Sequence, residues 1–90
     1  MYVTTHAFER FLQRGGYKQY NKRNVIKRIL NLYKHSKEVE LKPAYKTLQL
    51  ERGIDSTAKF YFSTKFILVV QGEAIVTILP MDFRKWRYVI

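Results

Sequence analysis

The 90-residue sequence contains no cysteine, two histidines, two prolines and only seven acids against 17 lysines and arginines. The lack of cysteine excludes a disulfide framework, a thiol nucleophile and every zinc site built on thiolate ligands. The acids are scattered, with no Asp-x-Asp and no His-x-x-x-His pair, so neither a metal nor another cofactor is expected. Long apolar runs are also missing. The two most apolar, Phe66 to Val70 and Ala74 to Leu79, have five and six residues even with Thr77 counted in, where a bilayer span needs about 20. The chain opens without a charged-then-apolar signal pattern, so a soluble cytoplasmic protein away from membranes is expected. The glycine pair Gly15-Gly16 follows an amphipathic segment, whereas a phosphate-binding P-loop precedes its helix. No nucleophile elbow of a Ser/His/Asp hydrolase is present.

What remains is a foldable and strongly basic chain. At 47% hydrophobic and 16% aromatic residues it can bury a core, and its length suits one domain spanning residues 1–90. The net charge of +10 is uneven. Residues 1–37 carry nine bases (Arg10, Arg14, Lys18, Lys22, Arg23, Lys27, Arg28, Lys34 and Lys37) against Glu9 alone. Residues 38–81 balance five bases with five acids, and the last nine residues add Arg84, Lys85 and Arg87 against Asp82. Such a block faces a polyanion, because Lys and Arg that neutralise phosphates release condensed counterions. A solvated helix surface is the plainer reading. An anionic membrane is disfavoured, since the basic segment has no Trp/Leu-rich amphipathic helix to insert.

Periodicity divides the chain into helices followed by strands. Ala7, Phe8, Phe11 and Leu12 make a helical stripe, with Thr5 as N-cap and Gly15-Gly16 as the stop. His6, Arg10 and Arg14 fall four residues apart on the other side. A second helix is expected from Asn24, its N-cap, to Lys34, burying Val25, Ile26, Ile29, Leu30 and Tyr33, with a polar connection over Tyr17 to Arg23 before it. Alternation then takes over at Glu38 to Leu41, Tyr45 to Arg52 and Ala58 to Phe62, with a turn at Gly53 to Ser56. The two apolar runs follow as strands, joined to their neighbours by Ser63-Thr64-Lys65 and Gln71-Gly72-Glu73. Residues 81–90 form a basic aromatic tail or a last strand. The expectation is an α+β fold, two N-terminal helices packed on a twisted antiparallel sheet of about four strands.

With metals set aside, the chemistry that fits is metal-free attack on RNA, whose 2′-hydroxyl is its own nucleophile and needs only a base, an acid and positive charge at the phosphorane. His6 can exchange the proton, and Arg10 and Arg14 can grip the phosphate in bidentate fashion. A histidine near an N-cap is also a common surface or capping group, and Glu9 can pair with either arginine. His35 suits the C-terminal dipole of the second helix. Thr77, sharing a strand face with Ile75 and Leu79 by simple alternation, reads as structural. Lys18, Lys22, Arg23, Lys27 and Arg28 are candidate nucleic-acid contacts. So are Arg84, Lys85, Trp86 and Arg87, which with Phe83 and Tyr88 interleave bases with stacking rings. That tail suits the cover of a sheet edge equally well.

The pattern His6-Ala7-x-x-Arg10-x-x-x-Arg14-Gly15, then a helix, then short strands ending in Ile75-Val76-Thr77-Ile78-Leu79-Pro80, resembles the small domains related to RelE-like toxins, colicin D and barnase. Many of these are metal-independent endoribonucleases of toxin–antitoxin pairs, bacterial effectors or phages. The resemblance implies that His6 is the acid/base group and that Arg10 and Arg14 hold the phosphate. It makes Thr77 an inward polar group that orients the phosphate or His6. It also implies cleavage to a 2′,3′-cyclic phosphate and RNA as partner, with an acidic antitoxin or host target as a further one. The alternative is a non-catalytic nucleic-acid binder, or a phage-encoded inhibitor using the same basic face.

Overall fold

The structure, a computed structural model, describes residues 1–15, 21–43, 45, 57–82 and 84–89. The chain begins with a short strand, β1 (Tyr2–Val3), and two helices, α1 (Thr5–Gly15) and α2 (Lys22–Lys34). Five strands follow: β2 (Lys37–Leu41), β3 (Lys59–Ser63), β4 (Phe66–Gln71), β5 (Ala74–Pro80) and β6 (Trp86–Tyr88). All six strands join one sheet in the order β1-β5-β4-β3-β2-β6. The α+β class matches the sequence reading, but the sheet is larger and mixed. β1 adds to one edge in parallel with β5, and β6 adds to the other edge antiparallel to β2. Both additions are only two or three residues long, too short to show an alternation. The expected strand segment Tyr45 to Arg52 lies, beyond Tyr45 itself, outside the described residues, as do the turn at Gly53 to Ser56 and residues 17–20 of the polar connection.

Both helices start earlier than expected because the capping side chains lie earlier. The Thr4 hydroxyl accepts the Ala7 amide (3.1 Å) and sits 3.2 Å from the carbonyls of Ile75 and Val76, so Thr4 caps α1 and ties it to β5. Asn21 caps α2 by accepting the amides of Arg23 and Asn24, which places Lys22 and Arg23 inside the helix. Neither first turn contains an acid to match the helix dipole.

The helices pack on one face of the sheet. Ala7, Phe8, Phe11, Val25, Ile29 and Leu32 meet Phe66, Leu68, Val70, Ile75 and Ile78 there. A second cluster on the other face contains Val39, Leu41, Ile67, Val69 and Trp86, with Phe60, Phe62, Val76 and Leu79 against it. The run Phe66 to Val70 is therefore buried on both sides, which is why it shows no alternation.

The register of β4 and β5 slips once, and the slip moves a predicted site residue. Val69 pairs with Thr77 but Val70 pairs with Ile75, so Val76 is the extra residue of a β-bulge. Beyond the bulge the faces exchange. Ile75 and Ile78 lie toward the helices, whereas Thr77, opposite Val69, shares the other face with Leu79. Simple alternation wrongly puts Ile75 and Thr77 together.

Candidate nucleic-acid interface

The exposed side of α1 carries His6, Glu9, Arg10, Gln13 and Arg14 because Ala7, Phe8 and Phe11 turn into the core. His6 is solvent-exposed in the first turn. Arg10 donates from Nη1 to the Gln13 side chain (3.1 Å), whereas Arg14 donates from Nε to the Ile78 carbonyl on β5 (3.0 Å). His6 and Arg14 share the stripe but are about 12 Å apart along the axis, at 1.5 Å per residue. The two guanidinium groups have different partners, Arg10 within α1 and Arg14 on β5. Thr77 is on the sheet face away from α1, which corrects its expected role of orienting His6 or a phosphate held by α1.

Helix α2 is the most one-sided element. It contains Lys22, Arg23, Lys27, Arg28 and Lys34 and no acid. All five are exposed, since the apolar stripe Val25, Ile29 and Leu32 takes the opposite side. Lys22 Nζ sits 5.7 Å from the centre of the Phe8 ring, a cation–π contact that leads from α2 onto α1. Among the described residues no acid forms an ion pair with any of the five; the two ion pairs present both belong to the C-terminal segment. Lys18 lies outside the described residues.

That segment departs from the expected stacking surface. Trp86 is buried, its ring centroid 5.0 Å from that of Phe60, and is a core residue of the second cluster. Arg87 pairs with Glu40 across the β2–β6 ladder. Arg84 bonds Asp82 through two side-chain contacts of 3.2 and 3.1 Å. The bonds from Arg84, first through its side chain and then its backbone amide, hold the Asp82 carboxyl below its ordinary pKa, and the pairing raises that of Arg84. Lys85 Nζ sits 5.6 Å from the Tyr45 ring centre. Trp86–Tyr88 thus covers a sheet edge, one of the two roles open to it, and of the segment's bases Arg84, Lys85 and Arg87 the first and last are already paired with acids.

One further contributor comes from a turn. Lys65, in the two-residue turn between β3 and β4, comes beside the C-terminal end of α1 and the exposed side of α2. Gly15, Arg28, Thr64, Lys65 and Phe66 line an open depression of about 390 Å³. Arg14, Lys65, Phe66 and Pro80 line another of about 230 Å³ that shares Lys65 and Phe66 with it. Arg28 lines the first, Arg14 the second and Lys65 both, and among the described residues no acid lines either. The only advance signal was a lysine in a tight turn next to a core phenylalanine.

Among the described residues no group of three or more histidines and acids can hold a metal ion, and no helix is long and apolar enough to cross a membrane. Comparison with protein-family models, curated proteins and solved structures finds no match. Its function therefore rests on its own residues.

Proposed function

We propose that this protein binds RNA or another single-stranded nucleic acid in the cytoplasm, through phosphate contacts spread over α2 and the exposed stripe of α1. One observation carries the reading: α2 exposes five lysines and arginines, contains no acid and has no ion pair among the described residues. Unpaired cations at this density release counterions when they meet a phosphate backbone, whereas paired ones first break their pairs. An acidic protein, such as an antitoxin or a host target, is the other polyanion such a face would suit.

The test is anisotropy of a labelled single-stranded RNA titrated across salt. The protein should bind at low salt. Substitutions Arg23→Gln and Lys27→Gln should weaken binding whatever the sequence and flatten the plot of log Kd against log salt by about 0.7 per lost phosphate contact. Absence of binding at about 50 mM salt, where such contacts are strong, defeats the reading.

A second reading, favoured by the exposed His6 one turn from Arg10 on the same stripe, is metal-independent cleavage of the bound strand in the manner of the RelE-related ribonucleases. The 2′-oxygen would attack phosphorus as the P–O5′ bond breaks, with His6 taking the 2′-hydroxyl proton and returning it to the departing 5′-oxygen while Arg10 bears charge on the phosphorane. It predicts cleavage in EDTA that His6→Ala abolishes while RNA affinity barely changes. Intact RNA across a broad panel at pH 5–8 would sink it and leave binding standing.

A further inference from the structure

Four observations meet at one end of the sheet. Arg14 is anchored through Nε to the Ile78 carbonyl, and among the described residues neither of its Nη groups has a protein partner. Its fork is therefore fixed at the rim of the depression lined by Lys65, Phe66 and Pro80. Lys65 lies over the Phe66 ring, 5.6 Å from its centre, so its ammonium stays beside the rim. Arg28 reaches the adjoining depression from α2. Finally, Thr64, in the same lining, has φ 56°, a left-handed backbone that a β-branched residue adopts only at a cost. A two-residue hairpin needs a positive φ at this position, as at Gly72, so the turn that carries Lys65 has a set shape.

We infer that Arg14, Arg28 and Lys65 form a discrete phosphate seat that fixes one phosphate of a bound strand, in contrast to the diffuse contacts along α2. This rests on the nucleic-acid reading above and deepens it. The chemistry favours phosphate over carboxylate because three cations from three elements border two depressions joined at Lys65 and Phe66, which suits a tetrahedral anion with several acceptor oxygens. One planar arginine fork would suffice for a carboxylate. The seat also gives the strand a fixed register on the surface, which scattered charges cannot supply.

Two measurements on the intact chain test this. In amide NMR spectra titrated with inorganic phosphate, shifts should saturate and cluster at Gly15, Thr64, Lys65 and Phe66, and should vanish in Lys65→Gln. Shifts that are absent, or that spread over α2 and persist in Lys65→Gln, overturn the seat. In RNA binding, Lys65→Gln and Arg28→Gln should each cost about tenfold or more, as expected for a lost charge-assisted hydrogen bond to phosphate. Arg23→Gln, of equal charge but outside the seat, should cost only a few-fold. Equal small losses at all three positions overturn the seat and leave the binding reading intact. Failure of the wild type to bind RNA removes the binding reading, while the phosphate titration still decides the seat. Oligomers with and without a 5′-phosphate identify the source. A gain from the 5′-phosphate that Lys65→Gln abolishes assigns a strand end, and an equal Lys65→Gln loss on both assigns an internal phosphodiester.

Discussion

Thr64 and Gly72 occupy the same position, the first loop residue of two successive two-residue hairpins, at φ 56° and 60°. Only glycine takes this backbone without a steric cost. Thr64→Gly should therefore raise stability, by roughly 0.5–1 kcal/mol once the entropy of the added glycine is set against the relief. A Cβ at Gly72 meets nothing within 4 Å, so Gly72→Ala should lose about 1 kcal/mol through backbone strain alone. Urea midpoints with unchanged m-values measure both. A loss at Thr64→Gly would mean that the threonine side chain stabilises the turn by more than its backbone costs.

Trp86 is the only tryptophan and packs on Phe60 in the second core cluster. Its emission should be that of a buried indole and should stay unchanged at saturating RNA. Trp86→Ala should cost about 3–5 kcal/mol in unfolding free energy, as large-to-small changes at buried aromatics do. Quenching or a red shift on RNA binding would return the residue to the stacking surface expected from its neighbours.

The Asp82–Arg84 pair makes a prediction with a defined sign. Arg84 holds the Asp82 carboxyl below its ordinary pKa, so the folded pKa is depressed. The pairing contribution is complete above the ordinary carboxylate range and is lost as pH falls through the depressed value. Carboxyl NMR should show Asp82 titrating below the usual aspartate range, and Arg84→Gln should return it there. Because Arg84 already has its counter-charge, Arg84→Gln should weaken RNA binding less than Arg28→Gln. Asp82→Asn should instead strengthen binding and steepen its salt dependence. An unchanged affinity in Asp82→Asn would place Arg84 away from the strand.

The main elements were legible because their patterns have one cause each. Ala7, Phe8 and Phe11 could be buried only as a helix, and Phe66 to Val70, bounded by turn residues, read as a central strand. Edge strands were harder. β1 has two residues and β6 has three, and a parallel partner 72 residues away leaves no local trace. Thr77 was misplaced because alternation assumes an unbroken ladder, and the bulge at Val76 is a property of two strands together. The basic character of α2 was legible from composition. That Lys65 borders one depression with Arg28 and the next with Arg14 was not, since it depends on where a hairpin turn meets the end of a helix.

Arg14 separates charge from geometry. Its Nε bond to the Ile78 carbonyl spans β5 and α1, and a lysine at this position keeps the charge but cannot both bond the carbonyl and present a planar fork. Arg14→Lys should lower stability by about 1 kcal/mol, the usual net worth of one intramolecular hydrogen bond. If binding depended on charge density alone, the same variant would keep its RNA affinity and salt slope. With an oriented fork in the phosphate seat, affinity should fall several-fold at every salt concentration while the slope stays near the wild-type value, because the number of cations is unchanged. A parallel shift of the salt plot therefore reports lost orientation. A plot that overlays the wild type would reduce Arg14 to a structural link between helix and strand.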